Sequence, residues 1–206
     1  MQKLLNSKIH EYRMCGVLIL VEQYKKVSLE ILRNPRPPRK RERCGQVLTP
    51  AALPARLQAG GPAVAQDDIF SFYLKNIRNI NNWDLVDLSA PNIVGDCLLN
   101  KNKNILYKLI KSKNLWERRI VVLACFAFIK NNNFSDAIKI SKILLTDKHD
   151  LIHKAVGWML REVGKRNEKI LINFLNKYTL KMPRTMLRYA IEKLPEKKRK
   201  YYLNKK

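Results

Sequence analysis

The fold is decided by residues 149–164, which read HDLIHKAVGWMLREVG. Apolar side chains follow one another there at the three- and four-residue spacing of a single helical face, which predicts a helix packed on a core. The predicted core stripe is Ile152, Ala155, Val156, Met159, Leu160 and Val163. Trp158 lies at its edge, in line with Lys154, Arg161 and Lys165. Such a basic row with one indole is typical of surfaces that bind phosphates and stack on bases.

Similar helices follow one another in pairs along the chain. Short connections rich in Asn, Lys and Asp separate the predicted helices, which are 67–80 with 83–99, 103–112 with 115–130, 134–146 with 149–164, and 167–178 with 183–194. Successive pairs begin 36, 31 and 33 residues apart, a period typical of helical repeats. No strand-like alternation is present, so the sequence predicts an all-α, HEAT-like helical-repeat solenoid. In such arrays the second helix of each pair commonly lines the concave face.

Capping residues predict several helix boundaries. Asn82 and Asn114 are suited to N-cap positions, and Gly164 is expected to end its helix. Pro183 is acceptable in a first turn. Pro91 lies inside a predicted helix and is expected to kink or break it.

The first 66 residues have a different organisation. Residues 7–32 predict one amphipathic helix, with Ser7 as its cap and an apolar side formed by Tyr12, Val17, Leu18, Leu20 and Val21. Residues 33–66 contain six of the nine prolines and three of the seven glycines, and we predict a disordered insert there. The expected organisation is an N-terminal helix at 1–32, the insert at 33–66 and a repeat domain at 67–206.

The charge of the chain indicates the class of its partner. Lys and Arg outnumber Asp and Glu by 41 to 17, a net charge of +24, of which +18 lies outside residues 33–66. This excess favours a polyanion, nucleic acid first and an anionic membrane surface second. The longest apolar run, 120–129, is about half of the ~20 residues that a membrane span needs. Neither a span nor a signal peptide is therefore predicted.

The four cysteines are scattered and form no C-x-x-C pair, which argues against a zinc ribbon or thioredoxin-like chemistry. Cys97 and Cys125 lie in apolar helical context, where reduced core cysteines are expected. A cytoplasmic location follows as the expectation.

A second candidate surface lies at residues 82–87. Helical spacing places Trp83 and Asp87 one turn apart on one face, and it places Leu85 and Leu88 on the opposite, core-facing side. The alternative is structural: acidic residues are favourable at the positive end of a helix, and Trp83 is then a packing residue. The row beside Trp158 has a similar alternative, with the indole packed on a neighbouring repeat and the lysines solvated.

Further basic side chains lie on other second helices. In helix 115–130 the predicted core is Trp116, Ile120, Leu123 and Ala127. Arg119 flanks this stripe and Arg118 is expected to point further out, whereas Arg184 and Arg188 lie one turn apart in the last pair. The pair of histidines at 149 and 153 has the spacing of a zinc site, but no third ligand can be named. We therefore predict a helix start there, and no metal site.

Three motifs, NWDLVD at 82–87, LWERR at 115–119 and KAVGWMLRE at 154–162, resemble the AlkD-like DNA alkylation repair family. Its members are HEAT-like α-solenoids that act as DNA glycosylases on alkylated purines. The resemblance covers 67–206 and 1–30. It implies two active-site tryptophans at Trp83 and Trp158, an essential carboxylate at Asp87, and DNA-backbone contacts at Arg119 and Arg161. It also implies helices before the point that matches Met1, so an N-terminal truncation is expected.

The function implied by the resemblance is hydrolysis of the glycosidic bond of cationic alkylated purines. The implied partner is duplex DNA containing alkylated bases, held by a monomer without a metal or an organic cofactor. The proposed DNA contacts are Arg119, Arg161, Lys154, Lys165, Arg118, Arg184 and Arg188. The alternative is a non-catalytic HEAT-like scaffold that binds nucleic acid or an acidic protein through the same basic rows. The two functions differ at Asp87, which only the glycosylase requires.

Overall fold

The computed structural model of the chain describes residues 1–33 and 66–205. These ranges contain eleven α-helices and no strand, which confirms the predicted all-α helical-repeat fold. The helices are α1 (Gln2–Leu5), α2 (His10–Arg33), α3 (Gln66–Lys75), α4 (Trp83–Ser89), α5 (Asn104–Leu109), α6 (Leu115–Lys130), α7 (Ser135–Ile143), α8 (Asp150–Arg166), α9 (Glu168–Tyr178), α10 (Arg184–Ile191) and α11 (Glu196–Asn204). The chain divides into two compact units, Met1–Cys97 and Leu98–Lys206. The predicted insert at 33–66 lies almost entirely outside the described residues.

The first unit is built around α2, which packs against α1, α3 and α4. Its buried side chains are Val17, Leu20, Val21, Tyr24 and Val27. Tyr12 and Leu18 are 52% and 45% exposed, so their assignment to the apolar side was wrong. The buried line follows the three- and four-residue steps of one narrow stripe, and these two side chains fall outside it. The helix also begins at His10, later than predicted.

The end of α4 shows the effect of proline. Regular α-helix stops at Ser89 and the backbone continues as a π-helical segment, Ala90–Gly95. Pro91 has no N–H to donate, so an unbroken α-helical ladder cannot pass through it. The Asn92 side-chain amide donates to the Leu88 carbonyl at 2.7 Å and takes over part of the bonding there. The predicted interruption at Pro91 is confirmed.

In the second unit the second helices of successive pairs pack side by side. The central helix α8 contacts α6 on one side and α10 on the other, and it also packs against α7 and α9. All six residues of the predicted α8 stripe are buried. Gly157 permits the close approach of α10, because an added Cβ would lie 2.5 Å from the Tyr189 Cβ and 2.6 Å from the Met186 carbonyl oxygen.

Gly164 does not end its helix, contrary to the prediction. α8 continues to Arg166, and Asn167 caps the next helix by accepting a hydrogen bond from the Ile170 N–H at 3.2 Å. A Cβ at position 164 would lie 2.4 Å from Leu171 Cδ2. The glycine thus leaves room for the Leu171 side chain where α9 packs on α8.

Two short elements were not anticipated: α1 and the C-terminal helix α11. Trp116 is only half-buried, so its assignment to the core was also wrong, whereas Ile120, Leu123 and Ala127 are buried as predicted. Cys97 and Cys125 are buried, as expected, and burial raises the pKa of the Cys125 thiol. Within the described ranges, no helix is long and apolar enough to cross a membrane.

Candidate functional site

In the first unit, α4 presents an indole and a carboxylate. The helix begins at Trp83, where the Asn82 side chain accepts a hydrogen bond from the Trp83 N–H at 2.7 Å. Leu85 and Val86 are fully buried and hold the helix on its core. Trp83 is 55% exposed, and Asp87, one turn later, is half-buried. The predicted pairing of Trp83 and Asp87 on the side away from the core is therefore present on α4.

Leu88 was expected beside Leu85 in the core, but it is 42% exposed. Val86 and Ser89 are buried instead, because the helix is rolled toward them. The Ser89 hydroxyl bonds to the Leu85 carbonyl at 2.6 Å and to the Tyr73 hydroxyl at 2.9 Å, which anchors this side of α4.

Asp84, on the same helix, has a partner on α2. One of its carboxylate oxygens lies 2.8 Å from His10 Nε2 on α2, and the other accepts the Leu85 N–H at 2.7 Å. Asp84 therefore joins α4 to α2. It provides a structural counterpart to Asp87 on the same helix.

In the second unit, Trp158 contacts a ring that the sequence analysis did not single out. The centroids of Phe126 on α6 and Trp158 on α8 are 6.0 Å apart, with an interplanar angle of 43°. Lys130 Nζ lies 4.6 Å from the centre of the Phe126 ring, within the range of a cation–π contact. Phe126 precedes Trp158 by about one repeat period, so the spacing alone could have predicted that the two rings lie at equivalent positions of neighbouring repeats.

The basic row on α8 is present, but each member has a carboxylate partner. Lys154 Nζ lies 2.8 Å from Asp150, and Lys165 Nζ lies 2.7 Å from Glu162. Arg161 forms an ion pair with Glu192 from the end of α10. The hydrogen bond with Lys154 lowers the pKa of Asp150 and raises that of Lys154. The row is thus a set of ion pairs and not a bare cationic strip.

Glu162 is the organising acid of this row, and the sequence analysis missed it. Its side chain is 9% exposed and lies against Lys165, against Arg166 at 3.4 Å and against Arg161 at 3.8 Å. Arg161 Nε is buried and has no hydrogen-bond partner within the part of the chain that the structure describes. The Arg161 guanidinium is therefore incompletely satisfied.

Arg118 and Arg119 are held within the fold. Arg119 is 5% exposed, and its Nη1 donates to the Leu151 carbonyl at 2.6 Å. Arg118 was expected to point outward, but its Nε lies 2.7 Å from Asp147 and its Nη1 donates to the carbonyls of Ser112 and Lys113. Arg118 thus connects the start of α6 to two neighbouring loops, and Arg119 connects it to the first turn of α8.

The remaining predicted contacts lie on α10. Arg184 and Arg188 are exposed, and Arg184 Nη1 donates to the Leu203 carbonyl of α11 at 3.0 Å. The predicted helix start at His149 is also present: His149 Nδ1 accepts the Leu151 N–H at 3.3 Å, and His153 Nε2 lies 2.5 Å from the Asp147 carbonyl. No group of three or more potential metal ligands occurs among the described residues.

Charge is distributed unequally between the units. Residues 98–206 contain 27 Lys and Arg against 8 Asp and Glu, a net charge of +19. Residues 1–32 and 67–97 together contain 7 against 8, a net charge of −1. The basic character of the folded chain outside 33–66 thus belongs to the second unit.

These features define an all-α helical-repeat protein with a strongly basic second unit, an exposed Trp83 and half-buried tryptophans at 116 and 158. A model of the DNA alkylation repair enzyme family matches residues 47–194, and the chain belongs to that family. The matched range includes Trp83, Asp87 and Trp158, begins inside the predicted insert and ends before α11. No curated protein and no solved structure matches the chain. The family places the protein in the repair of alkylated DNA.

Proposed function

We propose that the protein is a DNA glycosylase that hydrolyses the glycosidic bond of cationic alkylated purines in duplex DNA. The observation that carries this proposal is the arrangement on α4, where an indole that is 55% exposed lies one turn before a half-buried carboxylate. An exposed indole beside a carboxylate offers an aromatic face and a negative charge, which together suit a cationic ligand. The family membership supplies DNA as the ligand.

The chemistry requires little of the protein. A purine alkylated on a ring nitrogen carries a positive charge, which weakens its bond to the sugar. When the bond breaks, its electron pair neutralises the base and positive charge develops on the sugar. The Asp87 carboxylate stabilises that charge, and it orients the water that attacks the anomeric carbon and loses a proton. The face of Trp83 attracts the cationic base or sugar through its quadrupole.

The second unit supplies affinity for the DNA backbone. Arg161 is the first candidate for a phosphate contact, because it belongs to the basic row on α8 and its ion pair with Glu192 is exposed to solvent. Lys154, Lys165 and Arg188 extend this contact along α8 and α10, and Trp158 with Phe126 provides an apolar plate between them. Arg118, Arg119 and Arg184 are engaged in the fold, so we do not include them in the proposed contact set.

A non-catalytic scaffold would use the same basic surface and would differ only in its use of Asp87. The test is the release of free base from a duplex that carries a purine methylated on a ring nitrogen. We expect free base and an abasic site, with the DNA strand left intact. A duplex with a purine methylated on an exocyclic oxygen is the control, because that base is neutral and its glycosidic bond is not weakened. Binding of the cationic duplex without base release would contradict the proposal and favour the scaffold.

A further inference from the structure

The C-terminal helix α11 is fixed to the second unit at three points. Tyr202 is 3% exposed and its hydroxyl donates to the Asn176 side chain on α9 at 2.9 Å. Lys198 forms an ion pair with Glu168 at the start of α9. Arg184 donates to the Leu203 carbonyl in the last turn of α11, a cation placed at the negative end of the helix. The helix is therefore a docked element with a defined inner face.

Its outer face is basic and contains one aromatic ring. Helical spacing places Lys197, Lys200 and Tyr201 on the side opposite Tyr202, and all three are exposed. Tyr201 is 59% exposed, and Lys205 Nζ lies 5.8 Å from the centre of its ring. Residues 193–206 contain seven Lys and Arg against one Glu. From residue 195 onward this segment lies beyond the range that matches the family.

The position of these charges is unfavourable for the helix itself. Four consecutive bases, residues 197–200, lie in the first half of α11, and the last turn contains none. Cations near the positive N-terminal end of a helix are destabilising, and Lys197 repels Lys200 one turn away. Glu196 offsets this only partly, through an exposed ion pair with Lys200 at 2.7 Å. A helix that served only to cover α9 would be more stable with acidic residues at these positions. The arrangement is accounted for if the outer face binds a polyanion.

We propose that the outer face of α11 binds the phosphate backbone of duplex DNA, as a second contact separate from the row on α8. The proposal rests on the proposed function for the identity of the polyanion. Lys197 and Lys200 lie about 4.5 Å apart along the helix axis, so together they fit neighbouring phosphates. The Tyr201 hydroxyl donates a hydrogen bond to a phosphate oxygen, a common type of backbone contact.

The experiment measures the affinity for an unmodified duplex over a series of salt concentrations. For the double variant Lys197→Ala, Lys200→Ala, the slope of log affinity against log salt should fall by about 1.8, from ~0.9 for each phosphate contact. The matched control is Lys139→Ala, Lys142→Ala on α7, which removes two exposed lysines from another helix. Its slope should change by less than about half of that amount. Melting temperatures of both variants establish that the fold is intact.

Tyr201 provides a second variant that does not alter charge. Tyr201→Phe should weaken duplex binding about threefold while the salt slope stays unchanged, since only a neutral hydrogen bond is lost. Single-turnover base release at saturating protein should be unaffected by any of these variants, because none of them belongs to α4, the helix that presents Asp87. A chain that binds duplex DNA through α11 but releases no base would support this inference and refute the proposed glycosylase.

Three results would overturn the inference. An unchanged salt slope for the α11 double variant would remove the helix from the interface. An equal fall in the salt slope of the α7 control variant would show that the slope reports the total charge of the protein and not a contact made by α11. If the α11 double variant lost binding to vesicles rich in anionic lipid while its duplex binding stayed unchanged, the ligand of the outer face would be a membrane surface and not DNA.

Discussion

The two units of the chain differ most in their balance of charge. In the second unit, with its net charge of +19, seven of the eight acidic residues form ion pairs with Lys or Arg. In the first unit, outside 33–66, acids and bases are nearly equal in number, Asp84 is joined to a histidine and Glu22 pairs with Lys25. This difference in net charge fits the proposed division of roles, with the chemistry in the nearly neutral unit and the DNA affinity in the basic one.

The largest expected effect separates these two roles. Asp87→Asn keeps the shape of the side chain but removes the negative charge at the developing sugar cation. We expect base release to fall roughly 10²–10³-fold, or ~3–4 kcal/mol, as for other preorganised electrostatic groups. Duplex affinity should stay equal or rise, because a negative charge leaves a surface near phosphates. Single-turnover excision and anisotropy titration on the same variant provide the two readouts.

The next effect concerns the packing that supports the basic unit. Gly157→Ala places a Cβ against the backbone of α10, which cannot rotate away as a side chain can. We expect a loss of about 1–3 kcal/mol in the free energy of unfolding. Gly16→Ala in the first unit is the control, because its Cβ would meet side-chain atoms only at 3.0 Å (Leu5 Cδ2) and 3.2 Å (Leu4 Cβ), farther than the 2.5 and 2.6 Å at Gly157. Denaturant titrations that show equal stability for both variants would contradict the close approach of α8 and α10.

A substitution at Glu162 tests whether the acidic residues of the second unit stabilise the fold. Glu162→Gln leaves Arg161, Lys165 and Arg166 without their shared carboxylate, and we expect a loss of about 1–2 kcal/mol because these bases are partly exposed. Glu168→Gln removes only a more exposed ion pair, with Lys198, and should cost less than about 1 kcal/mol. Thermal unfolding of the two variants distinguishes them. A smaller loss for Glu162→Gln would refute its organising role.

The smallest effect is a gain in affinity. Partial burial raises the pKa of Glu192, but the charges of Arg161 and Lys193 outweigh it and hold this pKa below its usual range. Glu192 is therefore ionised at neutral pH and competes with phosphate for Arg161. Glu192→Gln should strengthen duplex binding several-fold with a small rise in the salt slope, whereas Arg161→Ala should lower the slope by about 0.9. Unchanged slopes in both variants would remove Arg161 from the DNA contact.

Helix positions could be predicted from the sequence where a cap and an apolar stripe agree. Asn114 and the stripe of α6 locate that helix to the residue, whereas α8 begins one residue later and ends two residues later than predicted. Gly164 resembled a C-cap because the apolar stripe of α8 ends next to it. Its actual role, leaving room for Leu171, depends on the position of α9 and cannot be inferred from the α8 sequence alone. α11 was missed because Tyr202 is its only fully buried side chain among the described residues, which leaves no periodic signal.

The candidate site could be predicted only where its residues lie on one helix, and not where it depends on contacts between helices. Trp83 and Asp87 are neighbours on one helix, so their spacing alone predicts their shared face. The burial of Arg119 depends on the Leu151 carbonyl, 32 residues later, and the Arg161 ion pair depends on Glu192, 31 residues later. Contacts between repeats of this kind leave no local pattern in the sequence.

The most direct test of the central claim compares Asp87→Asn with Asp84→Asn in the same single-turnover excision assay. Both variants remove one negative charge from α4, but Asp84 is bonded to His10 and serves the fold. We predict a lower melting temperature and nearly parental base release for Asp84→Asn, and release roughly 10²–10³-fold slower for Asp87→Asn. Equal excision rates for the two variants, with both folded, would contradict the assignment of the chemistry to Asp87.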